Sequence, residues 1–175
     1  MTVESRRLLK QRDCKNAFCN CDLPEDEVTI VRPPNGDPSA SKHEFWLLKK
    51  TLYGLRRSPR HWYDMIDRIL RSMGLKSNPC DPCVYSGFVC DPDDPAEPDP
   101  TVPLTLVLYV DDFVYFSCSN DVEARFQRIL SRLIRVEFMS VVEWFLGTHF
   151  AWRHNDEETA VHLNQEPSRL LPQLG

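Results

Sequence analysis

Two stretches of the chain carry apolar residues at helical spacing, and each predicts an amphipathic helix. The first covers 59–73, with Ser58 as a candidate N-cap and Gly74 placed to end it. The second covers about 121–135, with Asn120 as a candidate cap. The apolar faces consist of Trp62, Ile66, Ile69, Leu70 and Met73 in the first helix and of Val122, Phe126, Ile129, Leu130 and Leu133 in the second. Four arginines lie largely outside the second apolar face, namely Arg125, Arg128, Arg132 and Arg135.

Short runs rich in β-branched and aromatic residues predict strands. They cover 28–31, 44–48, 83–89, 105–110, 113–118, 145–151 and 159–163. The two runs within 105–118 follow each other across a tight turn, which predicts an antiparallel hairpin. Because helices and strands are mixed and this pairing is antiparallel, the pattern favours an α+β fold, with an antiparallel sheet backed by two helices. Proline and acidic residues between 90 and 103 predict an exposed loop.

One pair of adjacent carboxylates, Asp111 and Asp112, lies between the two apolar runs of the hairpin. Aspartate is a common turn residue because its side chain bonds nearby backbone, so a turn without any function is one explanation. The alternative is a cleft at the hairpin tip, where two or three carboxylates supply the hard oxygen ligands that Mg²⁺ prefers. Two such ions close together support phosphoryl transfer. Asp13 directly follows an apolar stretch and is the candidate third carboxylate.

Length and composition indicate one domain, since 175 residues with 42% hydrophobic residues are enough for a single core. The chain has no run of 18 apolar residues and no apolar leader, so we expect an intracellular protein without a membrane span. Seven cysteines in such a protein predict small buried thiols rather than disulfides. A zinc site at "CNC" and "CDPC" is a weaker alternative, because histidines at ligand spacing are missing.

The net charge of −5 does not suggest a nucleic-acid binder, but the charge is unevenly distributed. Residues 91–99 are acidic and rich in proline, whereas residues 49–76 form a basic stripe. The cations of this stripe are Lys49, Lys50, Arg56, Arg57, Arg60, Arg68, Arg71 and Lys76. Such a stripe is typical either of a solvated helix face or of a surface that contacts phosphates.

Four motifs occur in order along the chain: "RDCKNAFCNCDL", "LKKTLYGLRRSPRHWYDMI", "LYVDD" and "WFLGTHF". Their order and spacing resemble the reverse transcriptases of copia-type LTR retrotransposons. The corresponding segments of that family read roughly D-V-K-x-A-F-L-N-G-x-L, L-K-K-x-L-Y-G-L-K-Q-x-P-R-x-W, Y-V-D-D and F-L-G. The resemblance covers about residues 8 to 171, and its second motif is long and specific.

The resemblance implies a right-hand polymerase palm with partial fingers, in a single domain over 1–175 whose palm core covers about 8–165. It implies RNA-directed DNA polymerase activity, with two Mg²⁺ ions, or Mn²⁺ in their place, held by a triad of catalytic aspartates. The triad would be Asp13, Asp111 and Asp112. The nucleotide-binding residues would be Phe18, Tyr53 and Gly54, and the primer grip would be Phe145, Leu146 and Gly147.

The same resemblance implies the partners of the chain. They are an RNA or DNA template with its primer, deoxynucleoside triphosphates and the other parts of a retrotransposon polyprotein. The basic stripe would contact the nucleic acid through Lys49, Lys50, Arg56, Arg57 and Arg60. The location implied is the cytoplasm, inside a virus-like particle, or the nucleus.

The chain also departs from the family pattern. Cys14 replaces a valine, Arg57 replaces a glutamine, and the 90–103 segment lengthens a turn that is normally short. Family members have a long segment before the first aspartate, including fingers that hold the triphosphate, whereas this sequence begins about a dozen residues before Asp13. We therefore expect a truncated domain that folds but polymerises poorly. The alternative is a catalytically inactive remnant that retains at most nucleic-acid binding.

Overall fold

A six-stranded antiparallel sheet is the largest element of the protein. The computed structural model describes residues 8–38, 41, 44–94, 100–154 and 159–165. In chain order the elements are β1 (Lys10–Cys14), a 3₁₀ helix (Ala17–Asn20), β2 (Ile30–Val31), β3 (Trp46–Leu47), α1 (Ser58–Ser72), β4 (Leu75–Ser77), β5 (Val84–Gly87), β6 (Leu104–Tyr109), β7 (Asp112–Ser117), α2 (Asn120–Leu133), β8 (Val136–Val141), β9 (Trp144–Phe145), β10 (Thr148–His154) and β11 (Thr159–Asn164). The large sheet has the order β4-β5-β6-β7-β1-β8. The prediction of antiparallel strands with two helices is confirmed.

Two smaller sheets accompany the large one. β2 and β3 pair as a two-stranded sheet, and β9, β10 and β11 form a three-stranded antiparallel sheet. Strands β2 and β3 are shorter than predicted, and the predicted strand 145–151 is divided between β9 and β10 by a turn. No helix within the described ranges is long and apolar enough to cross a membrane.

The two faces of the central hairpin differ in what covers them. Leu104, Leu106 and Leu108 of β6 alternate with more exposed residues, and on β7 their cross-strand partners include Phe113 and Tyr115. These side chains share one buried cluster with the apolar faces of α1 and α2. Because successive strand residues point to opposite faces, Asp112 lies on the face away from the helices. We call this the open face of the sheet.

Strand β1 lies between β7 and β8, although its sequence KQRDC does not resemble a central strand. The polar side chains of β1 that face the helices find partners. Arg12, 3% exposed, donates to the Tyr115 hydroxyl at 2.8 Å, and Lys10 forms an ion pair with Glu123 of α2. Polar groups are buried at low cost only when they are paired in this way. The sequence pattern therefore missed this strand, together with β4 and β8.

Both predicted helix caps are wrong by one residue. Ser58 is the first residue of α1, and its hydroxyl donates to the Leu52 carbonyl at 2.6 Å instead of capping the helix. In α2 the cap is Ser119, whose hydroxyl accepts from the Val122 amide at 3.4 Å. Ser119 has the extended backbone that an N-cap requires, whereas Asn120 is already helical.

Gly74 ends α1, as the sequence predicts, and the structure shows why a side chain is excluded there. Its φ is +85°, and a Cβ would lie 2.4 Å from the carbonyl oxygen of Phe88. A Cβ on Gly87 would similarly lie 2.4 Å from the Gly74 carbonyl oxygen. Two glycines thus permit the close approach of β5 to the end of α1.

The cysteines are less buried than predicted. Cys14 and Cys21 are buried, but Cys80 and Cys118 are exposed, and the remaining three are intermediate: Cys19, Cys83 and Cys90. All seven are free thiols. The prediction of buried thiols is therefore correct for only two of the seven cysteines.

The segment 90–103 is not simply an exposed loop. Residues 95–99 lie outside the described part, but Asp91 is buried, and its carboxylate accepts from Arg128 at 2.9 Å and from Arg132 at 2.5 Å. Arg125 of the same helix donates to the Val89 carbonyl at 3.3 Å. Three of the four arginines predicted to lie outside the apolar face therefore hold Val89 and Asp91 against α2.

Because of the Asp91 carboxylate, the stability of the fold depends on pH in the acidic range. Hydrogen bonds from Arg132, the Asp93 amide and Arg128 hold its pKa at about 2, against an ordinary 3.8, although desolvation opposes them. A lowered pKa stabilises the folded protein above pH 4, and this contribution is lost as the pH falls toward 2. We expect Asp91→Asn to lower the melting temperature at pH 7 and to flatten its decline between pH 4 and 2.5.

The matched control is Asp93→Asn, which removes a carboxylate 2.9 Å from the same Arg132 but 67% exposed. Exposed ion pairs contribute little, so its melting temperatures should stay near those of the unmodified protein. Melting curves followed by circular dichroism at four pH values measure both variants. Parallel pH profiles for Asp91→Asn and the unmodified protein would contradict the assignment.

Candidate active site

Asp13 and Asp112 are directly opposite each other on neighbouring strands. The amide of Cys14 donates to the Asp111 carbonyl at 2.8 Å, so Cys14 and Asp111 are the hydrogen-bonded pair next to them. Asp13 and Asp112 therefore form a non-hydrogen-bonded pair, in which Cβ atoms approach to about 4.5–5.5 Å. Both side chains belong to the open face, so strand pairing brings together two carboxylates that are distant in sequence.

Asp111 lies in the two-residue turn that joins β6 to β7. The register pairs Tyr109 with Asp112, which leaves Val110 and Asp111 as the two turn residues. Val110 has a φ of +54°, in the left-handed region that β-branched residues avoid. The carboxylate pair is thus divided, since Asp111 belongs to the turn and Asp112 begins the strand.

The charges of the three carboxylates shift the pKa values of neighbouring groups. Burial raises the pKa of Asp112, the charges of Asp111 and Asp13 raise it further, and a hydrogen bond from Gln11 opposes them. The pKa of the Cys14 thiol is raised to about 12 by burial and then by Asp13, Asp111 and Asp112. Like charges this close repel each other unless a cation is present.

A cation of the protein itself already contacts Asp13. The Lys15 ammonium lies 3.4 Å from a carboxylate oxygen of Asp13 and 2.9 Å from one of Glu137. The hydrogen bond with Glu137 is the main cause of a raised Lys15 pKa. Lys15 thus neutralises part of the negative charge at the open face.

The three aspartates are expected from the sequence to surround one point that a metal ion could occupy. Within the described ranges, no group of three or more His, Cys, Asp or Glu side chains is arranged in that way. The backbone positions of Asp13, Asp111 and Asp112 converge, and the triad as a metal site stays a prediction. The donor chemistry fits a divalent cation, because the oxygens are hard ligands, and burial and then repulsion from Asp111 and Asp13 raise the pKa of Asp112.

Phe18 and Tyr53 form an aromatic pair beside the carboxylates. Their ring centroids are 4.5 Å apart, with Phe18 only 8% exposed and Tyr53 53% exposed. The pKa of Tyr53 is raised by burial and then by the charge of Asp111. The neighbouring Gly54 has a φ of +90°, and a Cβ there would meet nothing within 4 Å. These three predicted nucleotide-binding residues therefore adjoin one another, and Tyr53 lies within the electrostatic range of the aspartates.

The residues predicted to grip the primer lie in the three-stranded sheet. Leu146 and Gly147 are the two turn residues between β9 and β10, with φ values of +51° and +71°. Phe145 is the last residue of β9 and is half-buried, whereas the Leu146 side chain is 53% exposed. Like Val110, Leu146 carries an apolar side chain on a left-handed turn residue.

Four of the eight cations of the basic stripe form ion pairs with acids of the described ranges, one of them Arg71 with Asp67. Arg57 pairs with Glu27 at 3.2 Å, Arg60 with Asp64 at 2.9 Å, and Lys50 is 3.8 Å from Asp22. Lys49 and Arg56 are exposed, and neither forms an ion pair with another residue of the described ranges. Of the five cations predicted to contact nucleic acid, these two are the most available for phosphates.

Several residues of the site are missing from the sequence prediction. Gln11 and Lys15 lie two residues on either side of Asp13, so the strand period would have placed them on the same face had β1 been recognised. Glu137 lies in a segment that does not follow the family pattern, so only the pairing of β1 with β8 reveals it. Trp62, predicted as a core residue, also contacts the turn, through an indole N–H 2.5 Å from the Val110 carbonyl oxygen.

Comparison with known proteins shows the family to which the chain belongs. The family model described as "Reverse transcriptase (RNA-dependent DNA polymerase)" matches residues 1–165, and the chain belongs to this family.

Similar proteins show which kind of reverse transcriptase the chain resembles. The chain is 29% identical over 139 residues to the Retrovirus-related Pol polyprotein from transposon TNT 1-94 of Nicotiana tabacum, covering 79% of this chain and 10% of that protein. It is 24% identical over 148 residues to a transposon Ty5-1 protein of Saccharomyces cerevisiae, covering 84% and 44%. It is 25% identical over 135 residues to the Transposon Ty1-GR3 Gag-Pol polyprotein of the same yeast, covering 76% and 6%.

These relatives confirm the resemblance to copia-type retrotransposon reverse transcriptases. The chain spans less than half the length of each of these three relatives. No solved structure matches the chain.

Proposed function

We propose that the chain is a palm-type RNA-directed DNA polymerase domain that extends a primer with deoxynucleoside triphosphates. The observation that carries the proposal is the pairing of Asp13 with Asp112 across neighbouring strands, beside Asp111 in the adjoining turn. The paired strands place two carboxylates on one face of a sheet whose other face is covered by helices. Asp13 and Asp112 are only partly buried on that face, so a primer and template would approach them from this side.

Asp13, Asp111 and Asp112 would hold two Mg²⁺ ions, or Mn²⁺ in their place. When bound, the ions would favour loss of the proton from the primer 3′-hydroxyl and neutralise charge on the phosphates of the incoming nucleotide. The protein contributes the positions of the oxygen ligands. Gln11 lowers the pKa of the Asp112 carboxylate and so favours its charged, metal-binding form, and the Cys14 amide holds the turn that carries Asp111.

Lys15 would keep the metal-free site from being uniformly negative. Its ammonium is closer to Glu137, at 2.9 Å, than to Asp13, at 3.4 Å. A divalent cation at Asp13 would therefore leave Lys15 with a remaining partner. Lys15 would then give up its contact with Asp13 and keep its ion pair with Glu137. This would explain why a lysine can lie so near a metal ligand.

The aromatic pair and the free cations would bind the substrates. Phe18, held against Tyr53, would lie under the sugar of the incoming nucleotide, and the open space at Gly54 allows close approach to the base. Lys49 and Arg56 would contact template or primer phosphates. Leu146 would contact the primer end. The domain would function together with other parts of a Pol polyprotein. The second candidate, a remnant that only binds nucleic acid, is favoured by the departures from the family pattern, such as Cys14 in place of a valine.

Primer extension on an RNA template tests the proposal. We expect the chain to incorporate deoxynucleotides slowly, in preference to ribonucleotides, and only with Mg²⁺ or Mn²⁺ present. Asp111→Asn keeps the shape of the turn residue and removes a charged ligand, so incorporation should stop. Nucleic-acid binding, measured by fluorescence anisotropy, should persist in that variant. Binding without any incorporation by the unmodified chain would favour the remnant.

A further inference from the structure

The turn that carries Asp111 has a backbone conformation that its own residues do not favour. Val110 is β-branched and has a φ of +54°, where its Cβ is crowded against the backbone. Such a conformation persists only where the surroundings hold it. A turn of this kind at a functional site therefore needs identifiable supports.

The structure provides one support for each of the two turn carbonyls. The Asp111 carbonyl accepts from the Cys14 amide of β1 at 2.8 Å. The Val110 carbonyl accepts from the indole N–H of Trp62, at 2.5 Å, across from α1. Trp62 is only 2% exposed, so its N–H depends mainly on an acceptor within the protein. An indole N–H is a donor only, and a buried one requires an acceptor.

Packing alone does not hold the turn on the α1 side. A cavity of about 150 Å³ lies there, lined by Trp62, Leu108 and Val110 among other residues. The Val110 side chain is 45% exposed, so it does not anchor the turn either. The Trp62 hydrogen bond is thus the directional contact that opposes a shift of the turn into this space.

We propose that Trp62 is a positioning residue, whose indole N–H holds the Val110–Asp111 turn in its strained conformation and so fixes the direction of the Asp111 carboxylate. The proposal rests on the proposed function for its catalytic consequence, though not for its structural one. It gives the tryptophan of the "PRHW" segment a role beyond its place in the core. The simpler alternative is that Trp62 contributes only packing.

The experiment removes the N–H and keeps the shape. β-(3-Benzothienyl)alanine at position 62 replaces the indole nitrogen by sulfur and keeps the bicyclic ring. Trp62→Phe also removes the N–H by ordinary mutagenesis, but it reduces the volume of the side chain. The matched control is Trp152→Phe, because the indole N–H of Trp152 donates to the Val142 carbonyl at 2.7 Å, in a different sheet. Two readouts are taken: amide hydrogen exchange at residues 109–113, and Mn²⁺ affinity by electron paramagnetic resonance.

We expect both Trp62 replacements to speed amide exchange at 109–113 and to weaken Mn²⁺ binding by roughly tenfold, the usual scale for a partner that orients a metal ligand. In primer extension the rate at saturating nucleotide should fall, with little change in KM. Trp152→Phe should leave the exchange at 109–113 and the Mn²⁺ affinity unchanged. Val110→Gly accepts a positive φ without strain, so in that background the benzothienyl replacement should have a smaller effect.

The outcomes separate the two proposals. Unchanged exchange at 109–113 in the benzothienylalanine protein, which preserves packing even if Trp62→Phe does not fold, would show that Trp62 only packs. Faster exchange in a protein that binds no Mn²⁺ at all would support the positioning role and overturn the proposed metal chemistry. Faster exchange with unchanged Mn²⁺ affinity would overturn the inference that the turn fixes a ligand.

Discussion

Asp112→Asn is expected to lower the rate of primer extension by about 10³-fold while making the metal-free protein more stable. Under the proposed function Asp112 is a charged oxygen ligand. Its removal costs this much because metal ions supply several kcal/mol of transition-state stabilisation and about 4 kcal/mol corresponds to 10³-fold in rate. Asparagine keeps the size of the side chain and an oxygen that can accept the hydrogen bond from Gln11. The substitution therefore changes charge more than shape.

The gain in stability follows from the repulsion at the open face. Burial and the charges of Asp111 and Asp13 raise the pKa of Asp112 in the folded protein. A carboxylate with a raised pKa destabilises the folded state once the pH exceeds its ordinary value, here 3.8. At pH 7 the asparagine variant escapes this penalty, so its melting temperature should rise, and the difference should shrink as the pH falls to 4.

The matched control is Asp121→Asn, an exposed carboxylate in the first turn of α2, on the other side of the sheet. Its extension rate should stay within about twofold of the unmodified chain, and its loss of a favourable helix-dipole contact should lower stability slightly. Added Mg²⁺ should raise the melting temperature of the unmodified chain but not that of Asp112→Asn. A variant that loses both activity and stability would mean that Asp112 supports the fold rather than the chemistry.

Phe126→Ala should destabilise the protein by about 3–5 kcal/mol, the usual range for removing a buried phenylalanine. The ring is fully buried between α2 and the sheet, with centroids 4.9 Å from Tyr115 and 6.3 Å from Phe113. Both aromatic partners belong to β7, the strand that Asp112 begins. Loss of the Phe126 ring therefore loosens the attachment of α2 to the strand that carries the site.

Urea unfolding followed by tryptophan fluorescence measures this change. Domains have about 5–15 kcal/mol of stability in total, so the variant should unfold at much lower urea, with a Tm lower by roughly 6–20 °C. The matched control is Phe116→Ala on the same strand, because Phe116 is 39% exposed and belongs to the opposite face. That change should cost less than about 1.5 kcal/mol, since much of its area already contacts water. Equal losses for the two variants would contradict the placement of the helices on one face.

The sequence by itself determined the elements whose signals are local. The apolar periodicity of α1 and α2 appears within a single window of 15 residues or fewer, and so does the β6–β7 hairpin. The four motifs are likewise local strings, and they were sufficient to identify a family that the comparisons confirm. Errors at this level were small, as with the cap of α2 at Ser119 instead of Asn120.

Only the tertiary structure decided what surrounds Asp13. Strand β1 is polar, and its burial is possible because Arg12 and Lys10 meet Tyr115 and Glu123, which are remote in sequence. A window of the sequence cannot show such pairs, and without them KQRDC has no strand signal. The same holds for the contact of Lys15 with Glu137 and for the indole of Trp62 on the Val110 carbonyl. Hydrogen bonds and charge pairs depend on distances between remote segments, so folding places these partners where periodicity alone could not.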